Sequence, residues 1–133
     1  MSRKIETQAA TVFADDQGLL YIVSNGTPST DRTVKETFAA ARTLTIRPMP
    51  TLFDARQWPI GGSDFWVTFI DELPSVVSAG AILVDPDDEA ALGGFPRAVN
   101  RLMVPFEVFT EQDAAVVFLR QFANHPPEPA GEQ

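Results

Sequence analysis

A chain of 133 residues with no cysteine and a formal net charge of -8 excludes disulfide frameworks, thiol catalysis and zinc–thiolate centres. The same charge argues against free-standing nucleic-acid binding and against charge-driven attachment to an anionic membrane, since both need a basic surface. The hydrophobic fraction of 44% suits one core, and the length suits one domain.

The opening MSRKIETQ is too polar for a signal peptide. The longest apolar run, Ala79 to Val84, is far too short to span a bilayer. A cytoplasmic location is therefore expected, and the preference for Ala, Pro and Arg over Lys fits a GC-rich bacterium.

Residues 6–14 (ETQAATVFA) mix Thr, Val and Phe with small residues and predict a strand. DDQG (15–18) is turn chemistry, with Gly18 available for a positive φ. LLYIV (19–23) follows at once as a second strand, so the two form a hairpin. The hairpin's first strand carries few large residues and is expected at a sheet edge, open to pairing with a second copy.

SNGTPSTD (24–31) is a loop, after which Val34, Phe38 and Ala41 recur at helical spacing over 31–44. Thr33 with Glu36 has capping-box spacing, and Thr30 offers a cap one turn earlier. RPMP stops the helix, because a residue before Pro avoids helical backbone angles. TLFDA (51–55) is the third strand.

Gly61 and Gly62 break the chain, Ser63 is a good N-cap, and Phe65, Trp66, Phe69, Ile70 and Leu73 fill one helical face up to Pro74. VVSAGAILV (76–84) is an unbroken apolar run, as in a strand covered on both faces. A helical turn is expected near 87–92 and a short helix from about Pro96 to Leu102. PFEVF (105–109) is the fifth strand. Thr110 and Asp113 open a last helix with the stripe Ala114, Ala115, Phe118, Leu119 and Phe122. NHPPEPAGEQ (124–133) reads as a disordered tail after a single domain over 1–123.

The order β-β-α-β-α-β-α-β-α predicts an α/β fold: an N-terminal antiparallel hairpin on a mostly parallel, five-stranded sheet with right-handed crossovers. This order resembles the STAS-type domain of sporulation anti-sigma-factor antagonists, and more narrowly small bacterial proteins of STAS-like or CRAL–TRIO-like fold. Three stretches carry the resemblance: TLFDARQW, AGAILVDP, and NRLMVPFEVFTEQDAAVVFL, which together place residues 8–123 within it. In classical antagonists the loop after the third strand holds Asp-Ser-Ser-Gly, whose Ser a partner kinase phosphorylates. Here that loop is PIGGSDF. Ser63 occupies the position of the phosphorylated Ser, but the preceding Asp and the following Ser-Gly are absent, and Asp64 follows instead.

The candidate binding loop is therefore Asp54, Arg56, Gly61, Gly62, Ser63 and Asp64, with Ser63 as a structural cap and no chemistry expected of it. Asp54 and Arg56 fall at the carboxyl end of a parallel strand, where ligand crevices form; Asp85 ends the next strand. Trp66, Val67 and Ile70 form the candidate interface, because Val67 widens the helix stripe past what packing on a sheet requires. His125 is the only histidine and lies in the tail. DPDDE (85–89) lacks the Gly and terminal Glu of a calcium loop, and GGF (93–95) lacks the Lys and spacing of a phosphate loop. No metal, cofactor or catalytic residue is predicted. The resemblance implies an interaction module in bacterial regulation, binding a protein partner; the edge strand 6–14 and the wide stripe around Trp66 lead to the expectation of a homodimer. Its CRAL–TRIO side implies the alternative, a carrier of a small lipophilic ligand.

Overall fold

The computed structural model describes residues 3–28, 30–45, 47–57, 64–88 and 104–123; for residues 64–67 and 88 it describes the backbone alone. The chain is α/β. Six strands form one mixed sheet: β1 (Lys4–Glu6), β2 (Ala10–Ala14), β3 (Leu20–Ser24), β4 (Met49–Asp54), β5 (Val77–Leu83) and β6 (Phe106–Phe109). The described helices are α1 (Asp31–Leu44), α2 (Asp64–Glu72) and α3 (Gln112–Ala123), with short 3-10 turns at Leu73–Ser75 and Pro86–Asp88.

The sheet has six strands where five were expected, because the segment 6–14 is not one strand. The Thr7 amide donates to the Ala10 carbonyl (2.8 Å), and the Thr7 hydroxyl bonds the Ala10 amide (3.2 Å) and carbonyl (3.1 Å). This tight turn folds Lys4–Glu6 back onto Thr11–Phe13 in antiparallel register. A hydroxyl that offers the backbone local partners competes with a continuing ladder. The expected edge strand is therefore interior: β2 lies between β1 and β3, and β1 is the edge.

The β2–β3 hairpin forms as its turn residues dictate. Gly18 has φ +88°, a value that glycine adopts without a Cβ clash. The Asp15 carboxylate accepts from the Gln17 and Leu19 amides at 2.9 and 3.0 Å. α1 spans the predicted residues, capped by Thr30 and not by the Thr33–Glu36 pair. Thr33 and Thr30 exchange bonds reciprocally, Thr33 N–H to Thr30 Oγ1 (3.2 Å) and Thr30 N–H to Thr33 Oγ1 (2.8 Å).

Strands follow one another in sheet order from β1 to β6, antiparallel through β3 and parallel from β3 to β6. With right-handed crossovers, a sheet that grows in one direction places its crossover helices on one face. α1 and α2 do share a face. Val34, Phe38 and Ala41 of α1 join Phe69 of α2, Leu73, and Val12, Ile22, Phe53, Ile82 and Phe106 of the sheet. Four rings form the centre of this core: Phe69 lies 5.1 Å from Phe53 and 5.6 Å from Phe38, and Phe53 lies 6.0 Å from Phe106. α2 is also tied to α1 by polar contacts, Thr68 to Asp31 at 2.5 Å and Arg42 to Glu72 at 2.6 Å. α3, which is no crossover, covers the opposite face with Ala115 and Leu119 on Leu19, Leu52, Ala79, Ala81 and Leu83.

β5 is covered on both faces and flanked by β4 and β6, as its apolar run predicts. β4 begins at Met49 and so includes Pro50, which the expected strand left out. Pro cannot donate to a ladder, and the register between β4 and β5 shifts at Met49/Pro50, with Met49 opposite Val77 and Pro50 opposite Ala79. Ser78 is thereby bulged out and exposed. The bulge also reverses the alternation, so Val77 and Ile82 face the same core although they are an odd number of residues apart. The expected helix near Pro96–Leu102 and the tail lie outside the described residues.

Candidate functional site

The parallel pairing of β3, β4 and β5 brings three strand ends together. Val23 pairs with Asp54, and Asp54 with Leu83. The chain leaves these strands through Ser24, Arg56 and Asp85. Between the departing segments lies a polar crevice of about 350 Å³ lined by Val23, Ser24, Asp54, Arg56, Gln57 and Asp85. This is where open α/β sheets present side chains to ligands, because successive connections diverge beyond the carboxyl ends of the strands.

Two of the predicted residues meet here in a defined geometry. The Arg56 guanidinium grips Asp54 as a fork, Nε to Oδ1 at 3.0 Å and Nη2 to Oδ2 at 2.7 Å, and the Arg56 backbone N–H adds a bond to Oδ1 at 3.2 Å. Asp54 is largely shielded, its side chain 17% accessible, whereas Arg56 is 45% accessible. Burial pushes the Asp54 carboxyl up. The side-chain and backbone hydrogen bonds from Arg56, with its charge, outweigh burial and hold the carboxyl below its ordinary value of 3.8. Arg56 is raised by its hydrogen bond to Asp54 against some desolvation, and the charges of Asp54 and Asp85 add to that.

The chemical consequence is a fixed cation on a rigid base. Asp54 accepts three bonds from Arg56, and a carboxylate so satisfied is a poor proton acceptor. Among the described residues Arg56 Nη1 has no hydrogen-bond partner, and a guanidinium N–H of this kind suits a carbonyl or carboxylate acceptor. Among the described residues no group of three or more His, Cys, Asp or Glu is placed to hold a metal ion.

A depressed carboxyl is linked to stability in one direction. The Asp54 contribution is present above the ordinary value of 3.8 and is lost as pH falls through the lower folded value. Because Arg56 is exposed, screening limits the pair to about 1 kcal/mol. Asp54→Asn is expected to lower stability at neutral pH by about that amount. In urea titrations the variant and the parent should converge at a pH below the folded value. A gap that persists there would show that Asp54 acts through packing and not through its charge.

Not every expected residue is described. Gly61, Gly62 and Ser63 lie outside the described residues, and so does the expected Ser63 cap. Asp64, Trp66 and Val67 lie on α2, but their side chains are outside the described set. Ile70 is half-buried and packs against the core under α1 and α2. Ser24 and Gln57 line the crevice without having been singled out. Their signal was weak, since only knowing that β3 is the parallel neighbour of β4 places Ser24 beside Asp54.

A second cavity, about 50 Å³, lies under α1 and α2 and is lined by Ile22, Val34, Phe38, Phe53 and Phe69 among others. Pockets that enclose small ligands measure roughly 300–1,000 Å³. Among the described residues no helix is long and apolar enough to cross a membrane.

The family described as Domain of unknown function (DUF7793) matches residues 13–123. No curated protein and no solved structure matches the chain.

Proposed function

The chain belongs to the DUF7793 family, and we propose that it is a non-catalytic interaction module of STAS-like topology that docks a protein partner at the carboxyl edge of its sheet. The observation that carries this reading is the Asp54–Arg56 fork. A guanidinium held by two side-chain bonds has already lost the rotamer freedom that a free Arg gives up on binding. It projects from a crevice whose other polar walls, Ser24, Gln57 and Asp85, offer further hydrogen bonds. Arg in such a setting suits a partner that presents a carboxylate or a run of main-chain carbonyls. The STAS-like assignment is supported by the hairpin, the sequential parallel strands and the crossover helices on one face.

The carrier reading draws less support. A cavity of about 50 Å³ among the described residues is smaller than the engineered cavity of about 150 Å³ that holds benzene. The partner module acts in the cytoplasm of a bacterium on this reading.

The test is affinity capture from the native host with the partner identified by mass spectrometry. Arg56→Glu should abolish capture of a partner that the parent retains, with an unchanged circular dichroism spectrum. Loss of capture of at least about tenfold is expected where an anchoring charge pair is reversed. Equal capture by parent and variant would refute the crevice as the docking site. A small molecule retained by the purified protein in native mass spectrometry, with no protein captured, would favour the carrier.

A further inference from the structure

We propose that β1 is the contact through which two copies of this chain join their sheets, in a symmetric antiparallel register centred on Ile5. The homodimer was expected from the residue 6–14 strand together with the wide stripe around Trp66, but the β2 part of that strand is interior, and among the described residues Lys4–Glu6 forms this edge of the sheet.

The register follows from the hydrogen-bond alternation of antiparallel pairs. The Thr7 N–H donates to the Ala10 carbonyl. Ile5 and Val12, two residues back along each strand, are the next pair of that kind, so the Ile5 N–H and C=O turn inward to β2. The N–H and C=O of Lys4 and Glu6 then turn outward, where no strand of the described residues lies. A second β1 run antiparallel about Ile5 sets Lys4 opposite the second copy's Glu6, and Glu6 opposite its Lys4. Each pair exchanges N–H···O=C bonds through the groups that are now unladdered. The two Ile5 residues meet as the non-hydrogen-bonded pair, the closer kind, with their half-buried side chains adjacent.

The charges select this occupant. Short charged edge strands ordinarily repel pairing. Lys-Ile-Glu does so against itself only in parallel or in a shifted register. In the antiparallel register about Ile5 each cation faces an anion, and opposite charges directly across a ladder attract. Lys4 and Glu6 are both exposed and lie on the same face of β1, the face that carries Phe13, over whose ring the Lys4 ammonium sits at 5.4 Å. A foreign strand would have to match both signs to do as well, whereas a second copy matches by symmetry.

This inference does not rest on the crevice reading. The test is sedimentation velocity of the full chain over a concentration series. The parent should pass from monomer to dimer. Lys4→Glu or Glu6→Lys sets like charges opposite at both symmetric positions and should weaken dimerisation about tenfold or more. The double exchange Lys4→Glu with Glu6→Lys restores complementarity and should recover the dimer. Glu6→Pro removes an outward N–H that no bond among the described residues uses, and it too should give a monomer of unchanged fold. Hydrogen exchange of the Lys4 and Glu6 amides should slow as concentration rises. Arg56→Glu should leave the dimer unaltered. A parent that stays monomeric to about 1 mM, a dimer indifferent to the single exchanges, or a double exchange that fails to recover would each overturn the proposal.

Discussion

Ile82→Asp is expected to leave no folded domain. Ile82 is fully buried on β5, paired with Phe53 of β4 on one side and Val108 of β6 on the other. Its side chain points into the core under α1 and α2, where Phe53, Phe69 and Phe106 offer no hydrogen-bond donor. An unpaired carboxylate in such a place costs several kcal/mol, comparable with the whole stability of a small domain, about 5–15 kcal/mol. Ile82→Val, which removes one methylene, should cost only about 1 kcal/mol. Circular dichroism and urea titration of both variants check this. A soluble Asp variant with an unchanged melting temperature would overturn the burial of β5.

Gly80→Ala is expected to cost about 3 kcal/mol, at the upper end of ordinary overpacking. A Cβ on Gly80 would stand 2.3 Å from Phe106 Cε2 and 2.5 Å from Cδ2. Phe106 is the β6 residue paired with Gly80, and its ring lies across the glycine to reach Phe53. The ring cannot withdraw, because it is 1% exposed and packed on every side. The glycine is thus required for space and not for a left-handed backbone. Phe106→Leu should relieve part of the clash, so Gly80→Ala should cost less in that background, by a coupling energy between about 0.5 and 3 kcal/mol. Equal costs in the two backgrounds, measured by urea denaturation, would show that Gly80 is constrained by something other than this ring.

The aromatic core was legible in part. Phe38 and Phe69 stood at helical spacing and Phe53 in a predicted strand, because periodicity marks which side of an element is apolar. Their meeting at 5–6 Å separations was not legible, since it depends on both crossovers landing on one face of the sheet. The same holds at the crevice. Asp54 and Arg56 could be placed at a strand end from local pattern alone, and the fork between them spans only one intervening residue, Ala55. Ser24 and Asp85 join them only because β3, β4 and β5 are neighbours in parallel register.

The split of residues 4–14 into two strands shows the limit from the other side. Thr, Val and Phe in ETQAATVFA favour a strand, yet the Thr7 hydroxyl closes a turn with Ala10. A threonine serves either purpose, and which one it serves depends on whether a neighbouring strand is there to take up the ladder.

By itself, then, the sequence determined what acts over a few residues: the Gly18 turn, the extent of α1, the doubly covered run of β5, and the exclusion of thiol and disulfide chemistry. These depend on local backbone preference, on periodicity and on composition, all of which are present in the chain before it folds. The tertiary structure decided strand number and order, the bulge at Ser78 opposite Pro50, the closeness of Gly80 to Phe106, and which strand is left at the edge. These depend on contacts between residues far apart in the chain, whose energies are set by register and packing and leave no periodic mark in the order of the amino acids.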